Sequence, residues 1–467
     1  MARNAWTRRD VLKAGAAALT VPYFVPSHVL ARNGNVGAND KVQVAIIGLG
    51  GRAQSIVSES QDVKAMQIVA VCDCYMPQVT KFIAAVGAGQ NWTAYDLVEE
   101  LLDKQKLDGV MIETTTHARA WVAIKAMQAG LDTYIEKPMC LTIAEGRVMV
   151  QAARKLNRVT QVGTQQRSMP INNWASDLVK NGALGKVHTV IAPNFVGPEK
   201  WVNQPEQPLP PEGRQGWWDR WTNQAESRPY HVQLHRNWAK WWDYDGGGLC
   251  FGVTGWGTHS YDQVQRALGT DETGPVEIVL EEPVDPKADT GKTITGPTVG
   301  EVSDEDTGKD YHAMARNVVG PRAKVTMKFA NGTELKLHLD GNRGPGLGAI
   351  FIGDKGKLEI NRNKLASNPK ELILAQDNPG PITRPETAYH IENWIDCIKS
   401  RQRCNADIEY GQRSSTLCYL VNIVRDVGRV GEALKWDPVA ERFTNCDEAN
   451  QYLARPRRAG YELPKFS

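Results

Sequence analysis

The chain has 467 residues, 41% of them hydrophobic, enough for two ordinary domains with buried cores. Its formal charge is only +2, and the first 31 residues carry +3 through Arg3, Arg8, Arg9 and Lys13 against Asp10, leaving −1 on the remainder. That balance excludes a basic field for holding nucleic acid or an anionic membrane.

The first predicted element is a targeting signal. Thr7-Arg8-Arg9-Asp10-Val11-Leu12-Lys13 resembles the twin-arginine export pattern, and the apolar stretch from Ala14 to Val21 that follows is too short to span a bilayer. Cleavage after Val29-Leu30-Ala31 fits a small-residue rule. Residues 1–31 are therefore read as a signal peptide recognised by the twin-arginine machinery, with a mature protein that is periplasmic or otherwise extracytoplasmic and not held in the membrane. That machinery carries folded proteins, so a cofactor can travel with its enzyme.

From Lys41 the pattern becomes βαβ. Val42 to Ile47 reads as a buried strand, Ile68 to Cys72 as a second, Gly109 to Ile112, Thr133 to Ile135 and Val159 to Val162 as further ones. Helices are predicted near Leu97 to Leu102, from Ala120 to Met127 and from Ile143 to Leu156. This alternation predicts an α/β fold with a doubly wound parallel sheet over residues 40–164. Gly48-Leu49-Gly50-Gly51-Arg52-Ala53 is G-x-G-x-x-A between a strand and a helix, the context a dinucleotide site requires. Gly48 allows the turn, Gly50 lets backbone approach a pyrophosphate, and Ala53 keeps helix and strand close. Asp73 ends the next strand, where a carboxylate binds the ribose hydroxyls of NAD and repels the extra phosphate of NADP. NAD is the expected cofactor.

The run Thr114-Thr115-Thr116-His117, then Ala129-Gly130, then Glu136-Lys137-Pro138 resembles the Gfo/Idh/MocA oxidoreductase family, whose pattern is T-P-x-H, a helix ending in A-G, and E-K-P. Gln161 to Arg167 and Gly182 to Val187 also sit where the family has similar segments. The resemblance covers essentially the whole mature chain. It implies a C-terminal α/β domain over residues 165–467 with an open, mainly antiparallel sheet whose face makes a homodimer or homotetramer contact. It implies that Lys137 sits beside the nicotinamide and the reacting hydroxyl, with Glu136 contacting the cofactor or fixing the lysine. It also places Gly51, Arg52, Thr114 and Gln165 among the cofactor contacts, while His117 is either a wall of the nicotinamide pocket or a helix-start residue. The chain departs from the pattern at Thr115 for proline, Glu113 for a small residue and Arg119 for a second histidine.

After about Thr164 the texture changes. The segment from Pro193 to Gly248 is long and aperiodic, and eight of the fourteen tryptophans fall between Trp201 and Trp256. Aromatic faces suit sugar rings, so most are expected to anchor a long loop and one or two to face a carbohydrate. Candidate substrate contacts are Arg167, His235, Trp242, Trp256 and Asp262, beside Lys137 and His259. In the family pattern D-x-x-x-H-x-x-D, His259 and Asp262 fit the second half and Gly255 replaces the first carboxylate. Asp243, Asp245 or Tyr261 is left to partner His259, with Asp243 preferred over Asp245, or Lys137 and His259 act as a pair.

Downstream, strands are predicted at Val276 to Leu280, Ala323 to Phe329, Glu334 to Leu339 and Ala349 to Ile352, with a hairpin at Asn331-Gly332 and helices at His390 to Arg401 and Ser414 to Val427. The eight cysteines form no CxxC pair and no zinc spacing, so no metal is expected. Three functions fit: an exported NAD-dependent oxidoreductase acting on a sugar or polyol hydroxyl, an NAD-dependent glycosidase working by transient oxidation and elimination, and a carbohydrate-binding relative without chemistry.

Overall fold

The computed structural model describes residues 40–248, 252–289, 319–339 and 346–466. The predicted signal peptide, Cys250 and most of the polar stretch after Asp289 lie outside them.

A six-stranded sheet comprises β1 (Val42–Ile47), β2 (Met66–Cys72), β3 (Thr93–Tyr95), β4 (Gly109–Ile112), β5 (Asp132–Ile135) and β6 (Thr160–Val162). Its order is 3-2-1-4-5-6 and every pair is parallel. Helices α1 (Gly51–Glu59), α2 (Met76–Val86), α3 (Val98–Lys104), α4 (Thr116–Gln128) and α5 (Ile143–Lys155) alternate with the strands. Strands β4 and β5 are buried at every residue, as expected for a sheet covered on both faces. The strand order reverses between β1 and β4, which opens a crevice at their C-terminal ends.

Beyond α6 (Pro170–Lys180) the chain builds a nine-stranded sheet. In chain order its strands are β7 (Val187–Pro193), β8 (Pro275–Leu280), β11 (Val325–Phe329), β12 (Glu334–Leu339), β13 (Ala349–Gly353), β14 (Gly356–Asn361), β15 (Lys364–Asn368), β16 (Ala433–Asp437) and β17 (Arg442–Phe443), while β9 (Asp285–Asp289) and β10 (Val319–Arg322) pair separately. Only β7 and β12 run parallel, so the sheet is mainly antiparallel as the resemblance implies. The tryptophan-rich segment folds into two short helices, α7 (Trp217–Thr222) and α8 (Val232–Arg236), and is followed by α9 (Trp256–Leu268).

Two late helices tie the halves together. The helix α10 (Glu386–Ser400) returns to the nucleotide-binding half, where Ala388, Ile391, Trp394 and Ile395 join the core built by Val44, Ile46, Ala53 and Tyr134. Gly109 admits Trp394, since a Cβ there would lie 3.0 Å from the indole. The helix α11 (Ile408–Val427) is buried along nearly its whole length and packs against both α5 and α9. Sequence periodicity finds both helices but starts them four and six residues late, because their first turns are polar.

Candidate active site

A cavity of about 620 Å³ lies in the crevice at the strand ends. Its floor is the glycine turn. Gly48 has φ +89, and a Cβ there would lie 2.5 Å from the Thr114 backbone nitrogen, so only glycine fits between β1 and β4. Gly50 and Gly51 face open space, with nothing within 4 Å of a built Cβ. Gly50 precedes α1 and supplies no side-chain cap, which leaves the first-turn N–H groups free for an anion. Ala53 is fully buried in the core, on the strand-packing side. The Asp73 carboxylate accepts hydrogen bonds from the Leu49 and Tyr75 backbone N–H groups at 3.0 Å each and forms part of the wall. An open glycine cradle, a free helix N-terminus and a wall carboxylate together fit a dinucleotide.

At the other end stand Glu113, Thr114, Thr115, Arg119, Glu136 and Lys137. Glu136 is 2% exposed and fully engaged: Oε1 accepts from Arg52 Nε at 2.8 Å and from Gln165 Nε2 at 3.2 Å, and Oε2 from the Lys137 backbone N–H at 2.9 Å. Burial alone would raise its pKa, but Arg52, Lys137 and Arg119 bring it below the usual carboxylate value, so it stays ionised. Gln165 therefore reaches the site through Glu136 and does not line the cavity.

Lys137 Nζ donates to the Gly255 carbonyl at 2.8 Å. This bond joins the nucleotide-binding half to the start of α9. Burial lowers the Lys137 pKa, with Glu136 opposing, Arg119 and Arg52 adding to the effect, and Asp245 opposing. His259, one turn into α9, is 5% exposed and its Nδ1 has no partner. Its pKa falls well below the usual imidazole value through burial and then through the charge of Lys137. The imidazole is thus neutral.

Several expected residues sit elsewhere. Asp243 pairs with Arg228 at 3.2 Å and has no bond to His259. The carboxylate acting on Lys137 from this segment is Asp245, fully buried, which accepts from Thr116 Oγ1 at 2.5 Å and from Thr254 Oγ1. The glycine run behind it is the sequence signal of this packing: a Cβ at Gly246 would meet Thr254 at 2.5 Å, and one at Gly248 would meet the Asp245 carboxylate at 2.9 Å. Tyr261 lies two helical positions from His259 and so points away, fully buried against Phe195. Burial pushes its hydroxyl pKa far up, so the hydroxyl stays protonated.

Asp262 and Arg167 form a buried ion pair at 2.8 Å, completed by Ser414 and Asp271, so neither is available to a substrate. Trp242 is covered by the Arg455 guanidinium, 3.4 Å from its ring centroid, and Trp256 packs in the main core against Gly346. His117 is fully buried outside the cavity wall. Its Nε2 bonds the Trp221 carbonyl at 2.8 Å and its ring packs on Trp221 and Tyr244, while burial lowers its pKa to about 4. It anchors the tryptophan segment.

That segment roofs the cavity. Trp217, Trp218, Trp221, Tyr230, Leu234 and Tyr244 form their own cluster, against which Tyr75 and Cys74 pack from the end of β2. From it Arg220, Trp221, Asn223, His235, Arg236 and Trp238 face the cavity, with Tyr461 from the C-terminal tail. The tail straps the roof down: Arg458 donates to the Asp219 and Asn223 carbonyls at 2.8 and 2.7 Å. Of the eight tryptophans between Trp201 and Trp256, Trp221 and Trp238 line the cavity. Periodicity misses this because the segment has none, and its partners are distant in sequence.

Two family models match the chain: an oxidoreductase family NAD-binding Rossmann fold over residues 42–164, and the oxidoreductase family C-terminal alpha/beta domain over residues 171–295 and 302–463. A glycosyl hydrolase family 109 protein of Shewanella sp. (strain W3-18-1) is 27% identical over 163 residues, covering 32% of this chain and 34% of the relative. The glucose-6-phosphate 3-dehydrogenase of Bacillus subtilis (strain 168) is 23% identical over 148 residues, 32% of this chain and 41% of the relative. The shared region is thus well under half of these relatives. The WlbA dehydrogenase of Bordetella pertussis, solved with NADH and UDP-GlcNAcA, superposes with a TM-score of 0.55 at 15% identity over 85% of this chain and 99% of its own. The aldose-aldose oxidoreductase of Caulobacter crescentus, solved with glycerol, gives 0.55 at 17% identity over 85% and 99%. Both share the fold.

Proposed function

The chain belongs to the Gfo/Idh/MocA oxidoreductase family and carries its NAD-binding Rossmann domain, and from that premise we propose that it is an exported NAD-dependent oxidoreductase acting on a sugar or polyol hydroxyl. The observation that carries the reading is the bond from Lys137, in the wall of the cavity, to the Gly255 carbonyl at the start of α9, the helix that carries the buried, neutral His259 within reach of the lysine's charge. When bound, the nicotinamide supplies a hydride acceptor. The His259 imidazole takes the hydroxyl proton, and Lys137, oriented by Gly255, stabilises the oxygen as it gains alkoxide character. Asp245 accepts hydrogen bonds from the Thr116 and Thr254 hydroxyls and acts on Lys137 through its charge as a positioning residue.

The roofed cavity supports a cofactor that stays bound through successive half-reactions, which suits a compartment poor in free NAD. Export itself rests on the sequence of residues 1–31, and assembly into a dimer or tetramer through the open sheet rests on the family resemblance. Adding candidate sugars to the purified protein and following nicotinamide absorbance tests the reading. Sugar-dependent reduction of the bound nucleotide is expected, and protein that neither holds nor binds a nicotinamide nucleotide sinks it. The Shewanella relative favours one second reading, transient oxidation followed by elimination of an aglycone. Release of aglycone from aryl glycosides without net NADH distinguishes it.

A further inference from the structure

Glu113 is a buried carboxyl that the chemistry above leaves unused. The sheet register pairs Ile47 with Ile112 and Ile112 with Ile135, so the next residues, Gly48, Glu113 and Glu136, stand side by side at the strand ends. Glu113 is 8% exposed, contributes to the cavity wall, and neither carboxyl oxygen has a hydrogen-bond partner. None of the charged groups around it bonds it, although the Arg119 Nε is itself left without a partner. From α1, Arg52 binds Glu136, Glu59 and Thr387; from α4, Arg119 binds Thr116 at 3.0 Å and the Pro138 carbonyl at 2.5 Å; after β5, Lys137 binds Gly255. An ionised carboxylate in that position would lose several kcal/mol of solvation with no bond in return. Burial first, and Glu136 second, push its pKa well up, against Arg52 and Arg119. Two adjacent carboxyls are thereby driven apart, Glu136 ionised and Glu113 neutral.

We propose that Glu113 is the charge-compensating carboxyl of the cofactor site, ionised opposite an oxidised, cationic nicotinamide and protonated opposite a reduced, neutral one. The inference rests on the oxidoreductase reading. In substrate oxidation the C–H bond breaks with its electron pair going to the nicotinamide ring, the O–H bond breaks, and the carbonyl double bond forms. The proton ends on the Glu113 carboxylate. The ring loses one positive charge and Glu113 one negative charge, so the buried site keeps its net charge, and the proton stays available for the return reaction with a second substrate.

The test is calorimetric titration of the full chain, stripped of nucleotide, with NAD+ and with NADH in buffers of different ionisation enthalpy. Binding of NADH is expected to take up about one more proton per site than binding of NAD+, and Glu113→Gln is expected to abolish the difference. An equal proton count for the two nucleotides, or a difference that survives in Glu113→Gln, overturns the proposal while leaving the oxidoreductase reading intact. Failure to bind either nucleotide overturns both. Should the variant fold poorly, the infrared difference between the NADH-loaded and NAD+-loaded wild-type chain decides. A carbonyl band of a protonated carboxylic acid in the NADH form supports the proposal, and its absence contradicts it.

Discussion

At the scale of single residues, reactivity is set by which charges share the buried end of the cavity. Lys137 and His259 come from opposite halves of the chain, and the Lys137 bond to the Gly255 carbonyl ties the lysine to the start of the helix that carries His259. Lys137→Met is expected to lower kcat roughly 10²–10³-fold, the usual cost of removing one group that stabilises developing oxygen charge. His259→Asn should cost about 10²–10⁴-fold. Because burial and Lys137 hold the imidazole pKa well below the usual value, the acidic limb of the kcat profile should lie well below that of an ordinary histidine. It should move up in Lys137→Met, since the repelling cation is gone; an unmoved limb would detach His259 from Lys137. Asp245→Asn removes an anion that supports the Lys137 ammonium, so the basic limb should shift to lower pH while thermal stability changes little.

At the scale of elements, the roof decides how firmly the cofactor is held. Trp221 touches the cavity, stacks on Trp218 at 4.7 Å between centroids, and is pinned by His117. Trp221→Ala should weaken nucleotide binding tenfold to a hundredfold, about 1.4–3 kcal/mol, mostly by faster dissociation. Stopped-flow displacement measures it directly. Legibility in the sequence follows the same division. The parallel strands and the glycine turn are local patterns, and Gly48, Asp73 and Lys137, each legible from its neighbours in sequence, line the cavity. The choice of Asp245 over Asp243, the places of His117 and Gln165 behind the cavity wall, and the ion pairing of Arg167 with Asp262 depend on contacts 29 to 129 residues away in sequence or on which face of a short turn a side chain takes. Periodicity carries no information on either.

Across the whole molecule, the two halves share one fate on unfolding, since α10 completes the nucleotide-binding core and α11 packs across both. Two fully buried histidines, His117 and His390, have folded pKa values lowered from 6.5 to about 4, chiefly by burial. The unfolded chain binds their protons first as pH falls. Their contribution is therefore full above about 6.5 and is lost progressively between 6.5 and 4, at roughly 1.4 kcal/mol per pH unit for each histidine that is fully neutral in the fold. The melting temperature should fall over that window, and less steeply in His390→Gln. The central claim concerns the molecule as a redox unit that carries its own nicotinamide. Native mass spectrometry of the purified mature chain tests it most directly: each subunit is predicted to carry the mass of one NAD, lost in Trp221→Ala, whereas wild-type subunits that remain bare after incubation with excess NAD would contradict it.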